Sequence, residues 1–127
     1  VGVDLDDAML DAARRKAPAV PWVCADLATF DLGRRFEVVA MPGNVMIFCR
    51  PEHRAPIVER CAAHVEPGGH LVAGFSLERS PGALTVAGCD AAAAAAGLGL
   101  VAHHGGWARG RVVPGGDYVL CVHARLS

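Results

Sequence analysis

Short apolar runs that end in an acid or a Pro-Gly pair alternate with helical segments, and this alternation limits the folds open to the chain. Val1-Gly2-Val3-Asp4 is an apolar run closed by a carboxylate and suits a buried parallel strand. A helix should follow from about Asp7 to Lys16. Asp6 or Asp7 can cap it, and Arg14, Arg15 and Lys16 sit at the negative end of its dipole. Val20 to Cys24 reads as a strand, with Pro21 at its start, and 25–35 as a polar connection. Phe36 to Met41 reads as a strongly buried strand stopped by Pro42-Gly43.

The second half repeats the alternation and then changes. Arg54 to His64 carries apolar residues at helical spacing, with Pro56 tolerable only in the first turn. Glu66-Pro67-Gly68-Gly69 reads as a turn and His70 to Phe75 as a strand. Val86 to Ala96 reads as a helix closed by Gly97. Leu98 to Trp107 and Asp117 to Arg125 read as an antiparallel pair across a Gly-rich loop. The expectation is an α/β domain: a Rossmann-like, doubly wound, mostly parallel sheet with a C-terminal antiparallel hairpin.

Bulk properties narrow the functional classes. The 127 residues suffice for one core, and a net charge of −1 gives no electrostatic ground for nucleic acid or an anionic membrane as partner. Five widely spaced cysteines without a C-x-x-C pair read as reduced thiols, which points to a cytoplasmic protein without disulfides or a zinc site.

In a sheet of this kind ligands bind beyond the carboxyl ends of the strands. Asp4 closes the first strand, where an acid can accept both hydroxyls of a ribose; as a plain helix cap it would compete with Asp6 and Asp7. Asp26 follows the next strand and can accept from an adenine amino group, although alone it reads as a solvated turn residue. His103-His104 invites a metal reading, but adjacent strand residues point to opposite faces and no acid or cysteine cluster lies nearby in sequence. Trp22 and Trp107 read as packing residues, and Arg34-Arg35 as a solvated turn.

The ordered pattern V-G-V-D-x-D-x-x-M-L-x-x-A-R, W-V-x-A-D-L, F-E-V-V-A-M-P-G-N and V-E-P-G-G-H-L-V-A-G-F resembles class I S-adenosylmethionine-dependent methyltransferases, especially small-molecule ones of bacterial type. The resemblance implies S-adenosylmethionine as cofactor and a small-molecule acceptor. It implies ribose contact by Asp4, adenine contact by Leu5, Met9, Asp26 and Leu27, a methionine end lined by Met41, Pro42 and Gly43, and Asn44 close to the transferred methyl. The family's central strand and glycine-rich loop do not occur in this sequence. The expectation is therefore a partial domain, running over 1–127 from the family's second strand to its hairpin, whose strands ending at Asp4 and Met41 either pair directly or face a gap. An open edge there could recruit a second copy.

Two other readings stay open at this level. A nicotinamide oxidoreductase shares the strand-end acid, but Tyr118 and Lys16, the sole Tyr and Lys, are far apart. A non-catalytic Rossmann-like fragment that associates through its sheet edge is the other.

Overall fold

The structure, a computed structural model, describes residues 1–42, 45–78, 82–112 and 116–126. Six strands and four helices follow one another as β1 (Gly2–Asp4), α1 (Asp7–Lys16), β2 (Trp22–Cys24), β3 (Phe36–Met41), α2 (Val45–Phe48), α3 (Arg54–Ala63), β4 (Val65–Ser76), α4 (Val86–Ala95), β5 (Gly99–His104) and β6 (Tyr118–Ala124). The α/β alternation read from the sequence is present. Gly43 and Asn44, and Gly115 of the hairpin loop, lie outside the described residues.

The strands form two ladders rather than one continuous sheet. β1 pairs with β2 in parallel, and a four-stranded sheet has the order β3-β4-β6-β5. The β3–β4 pair is parallel, while β4–β6 and β5–β6 are antiparallel, so the arrangement is mixed: β3, β4 and β5 run one way and β6 alone is reversed, forming the expected antiparallel hairpin with β5. Of the two alternatives for β1 and β3, the structure has the gap. A cavity of about 490 Å³ lies between them, lined from one side by Val3 and Asp4 and from the other by Val38, Ala40 and Met41. For that reason β3 is less buried than its apolar sequence predicts. Val38 and Ala40 are exposed, because no described strand covers their edge.

Local chemistry explains the boundaries. Asp6 caps α1 by accepting from the amides of Ala8 and Met9. Thr85 caps α4 by accepting from the amide of Gly88 at 2.9 Å. The expected turn at 66–69 is absorbed into β4 as an irregularity: Phe36 faces Val65 and Val38 faces His70, so β4 spends five residues where β3 spends two. Gly69 makes this possible, since a Cβ there would stand 2.8 Å from the Glu37 carbonyl oxygen. Arg125 ties the sheet to α3, donating to the carbonyls of Val65 at 2.9 Å and Ala62 at 2.6 Å.

The core lies between the four-stranded sheet and helices α3 and α4, with Phe75, Leu71, Val65, Val58 and Val119 almost fully buried. The connection before β3 is not purely polar. Phe30 is buried and stacks on His64, itself buried at the end of α3. Arg34 lies over the Phe36 ring at 4.4 Å, a cation–π contact rather than a free turn residue. Trp22 packs as expected and donates to the Ala17 carbonyl, its ring filling the space left at Gly2. Among the described residues no helix is long and apolar enough to cross a membrane.

Candidate functional site

The parallel register of β1 and β2 sets the site. Asp4 stands opposite Cys24, and the Ala25 amide donates to the Asp4 carbonyl at 2.9 Å. Asp4 and Asp26 therefore emerge at the same end of the ladder, as acids after parallel strands must. Each carboxylate accepts one local amide: Asp4 from Asp6 at 3.0 Å, Asp26 from Ala28 at 2.8 Å. Neither has an ion-pair partner among the described residues. A carboxylate offers about four lone-pair positions, so each retains acceptor capacity for a ligand.

The 490 Å³ cavity opens beside this end. Asp4, Leu27, Met41 and Pro42 all line it, which brings together residues from the ends of β1, β2 and β3. Leu5 and Met9 do not join them: they stand 64% and 61% exposed on the solvent side of the same turn and helix. Asp26 is outside the lining as well. Met41 is buried, with its sulfur 3.7 Å from the Cys61 thiol. Burial pushes that thiol up to about 12, against a smaller opposing pull from Arg60. Arg54 at the start of α3 donates to the carbonyl of Met46 in α2 at 3.3 Å and to that of Gly82 at 3.0 Å.

His64, which no motif in the sequence marks, also lines the cavity. The Leu32 amide donates to its Nε2 at 3.0 Å, and its Nδ1 lies 2.6 Å from the Arg60 carbonyl. Nε2 then accepts from Leu32 while Nδ1 donates to Arg60, so both nitrogens are engaged. It is a core histidine and not a proton acceptor for chemistry in the cavity. Its place in the helical pattern of α3 was visible in the sequence; its partner Phe30, hidden in a polar stretch, was not. His103 and His104 part company as expected, but His103 meets an acid: its Nε2 is 2.9 Å from Asp90.

Comparisons with known proteins place this geometry. Residues 1–69 match the model of a family described as a methyltransferase domain. A curated relative from Saccharopolyspora spinosa, dTDP-4-amino-2,3,4,6-tetradeoxy-D-glucose N,N-dimethyltransferase, is 33% identical over 72 residues, which cover 56% of this chain and 29% of that protein. A second, dTDP-3-amino-3,4,6-trideoxy-alpha-D-glucopyranose N,N-dimethyltransferase of Streptomyces venezuelae, is 36% identical over 72 residues, again 56% of this chain and 30% of the relative. The match thus spans less than a third of the length of these relatives. Among solved structures, a TehB-like SAM-dependent methyltransferase from Corynebacterium glutamicum superposes with a TM-score of 0.86 at 25% identity, over 98% of this chain and 66% of that one.

Proposed function

The chain belongs to the methyltransferase-domain family, and from that premise we propose that it carries the adenosine-binding half of an S-adenosylmethionine-dependent methyltransferase acting on a small molecule. Asp4 holds the ribose hydroxyls. Asp26 and the Leu27 amide read the adenine edge, with Leu5 and Met9 flanking the ring. Met41, Pro42 and Gly43 line the methionine end, and Asn44 stands near the methyl acceptor. The observation that carries this reading is the position of two carboxylates, half-buried Asp4 and exposed Asp26, without an ion pair among the described residues, at one end of the β1–β2 ladder beside a cavity lined by Asp4, Leu27, Met41 and Pro42.

When bound, the cofactor supplies a methyl group already activated on a sulfonium. The residues of the chain therefore need only bind, orient and exclude water. The apolar lining from Leu27, Val38 and Pro42 suits that task. The reading places residues 1–127 in a domain with one further strand between β1 and β3, whose facing edges have no partner among the described residues. The names of the curated relatives describe dimethylation of amino sugars carried on dTDP, which supports an amine on a small molecule as acceptor. Five free thiols agree with a cytoplasmic protein.

The test is titration calorimetry with S-adenosylhomocysteine on the protein bearing the complete domain, wild type against Asp4→Ala. A charge-assisted bond of about 1.5–3 kcal/mol predicts an affinity loss of roughly ten- to a hundredfold. Unchanged affinity removes the ribose assignment. A nicotinamide cofactor bound in place of S-adenosylhomocysteine overturns the reading as a whole.

A further inference from the structure

At the far side of the four-stranded sheet from the cavity, three elements bring a mixed set of donor atoms to one place. Asp90 comes from α4, His103 from β5, and Cys121 and His123 from β6. The Asp90 carboxylate receives both imidazoles, His123 Nε2 at 2.8 Å on one oxygen and His103 Nε2 at 2.9 Å on the other. The antiparallel register sets His103 directly opposite Cys121, and ligand atoms of Asp90, His103 and Cys121 lie within 4.8 Å of one another. His123 is two residues beyond Cys121 and so shares its face of the strand.

We infer that Asp90, His103 and Cys121 form a binding site for a zinc-class divalent metal ion, which clamps α4 to the β5–β6 ladder, with His123 holding the Asp90 carboxylate in place.

Three considerations carry this. One imidazole, one carboxylate and one thiol match the donor preference of zinc, and not the all-oxygen preference of magnesium or calcium. The spacing is compatible with the ion: the three ligand atoms lie within 4.8 Å of one another, and bonds of about 2.0–2.3 Å at tetrahedral angles need roughly 3.3–3.8 Å, a difference that small side-chain movements close. Access is adequate, since the side chains of Asp90 and His103 are 25% and 28% exposed while that of His123 is 2% exposed. None of these residues lines the cavity beside Asp4, so the site is independent of the methyl-transfer reading.

On binding, His103 offers its Nε2 lone pair as the neutral tautomer protonated at Nδ1, and the Cys121 thiol proton leaves to solvent as its sulfur bonds to the ion as a thiolate. In sequence the three ligands are spread from Asp90 to Cys121, with the visible pair His103-His104 split between faces. The lack of a nearby acid or cysteine, which argued against a metal there, is reversed by the fold.

The test uses the full chain, kept reduced and stripped with a chelator, then titrated with Co²⁺ as a spectroscopic substitute for zinc. The expected result is one Co²⁺ per chain, with the intense visible bands of a tetrahedral site and a near-ultraviolet thiolate-to-cobalt band, all bleached by one equivalent of Zn²⁺. Cys121→Ser should lose the near-ultraviolet band, and Cys24→Ser, at an exposed thiol, should keep it. Asp90→Asn and His103→Gln alter half-exposed side chains, and each should weaken binding at least tenfold while leaving circular dichroism unchanged. Absence of a thiolate band in the wild type overturns the proposal, as does unchanged affinity in both Asp90→Asn and His103→Gln. Loss of the band in Cys24→Ser also overturns it.

Discussion

The imidazole of His64 lies flat against Phe30, with ring centroids 4.4 Å apart and planes inclined by 13°. The same imidazole bridges two backbone groups, accepting from Leu32 and engaging the Arg60 carbonyl. One side chain thus anchors the stretch before β3 onto the end of α3. Replacing it with leucine keeps the volume but leaves an amide and a carbonyl without partners. His64→Leu should cost about 2–4 kcal/mol, read as a lower urea midpoint at unchanged slope. A shift under about 0.5 kcal/mol, the range of an ordinary surface change, would show that the bridge contributes nothing.

Cys61 gives the protein an alkaline weakness. Burial pushes its thiol up to about 12 from the ordinary 9.0. The folded state then keeps a proton that the unfolded chain has already lost. The resulting stability is complete below the ordinary value and drains away as pH rises through this window, by roughly 1.4 kcal/mol per pH unit. The loss between about pH 8 and about pH 10.5 should be visibly smaller in Cys61→Ala than in the wild type. Equal losses would place the cause in another group.

Gly68 and Gly69 are adjacent yet needed for different reasons. Gly68 has φ of 81° and open space around its missing side chain. Gly69 has backbone on all sides, with the Glu37 and Glu66 carbonyl oxygens 2.8 and 2.9 Å from where a Cβ would sit. Asparagine tolerates the left-handed region, so Gly68→Asn should lose less than about 1 kcal/mol. Gly69→Ala forces backbone apart and should lose about 1–3 kcal/mol. Thermal melts of the two variants decide it; the reverse order would refute the assignment.

Arg125 should not accept lysine. Its guanidinium reaches Val65 and Ala62 with separate nitrogens, a fork that a single ammonium cannot reproduce. Arg125→Lys should lose one of the two bonds and about 1–2 kcal/mol. Stability equal to wild type would show that only one bond matters.

What could be read from the chain alone were features signalled locally. α1 runs over the expected Asp7–Lys16 because Asp6 caps it and the chain turns before Pro18, and β3 covers the expected Phe36–Met41 because Pro42 follows. Asp4 and Asp26 were legible because an acid directly after an apolar run marks a strand's carboxyl end. The shortfall lies where distant segments meet. Phe30 looked like part of a polar linker until His64, 34 residues on, covered it. Asp90 and His123 meet only through the register of β5 on β6 and the seat of α4, which no local pattern encodes. Val38 looked buried because sequence reports the apolarity of a strand and not whether a neighbour is there to cover it.

The separation of the two ladders has a kinetic consequence. Val3 and Val23 share a ladder with no hydrogen bond to β3, so the strand that presents Asp4 can open without disturbing β4 or β6. Amide deuteration should therefore fall into two rate classes, with β1 and β2 exchanging through small local openings and Phe75 and Val119 only through global unfolding. The segment that carries Asp4, the carboxylate proposed to hold the ribose, would be the one a bound nucleoside slows most.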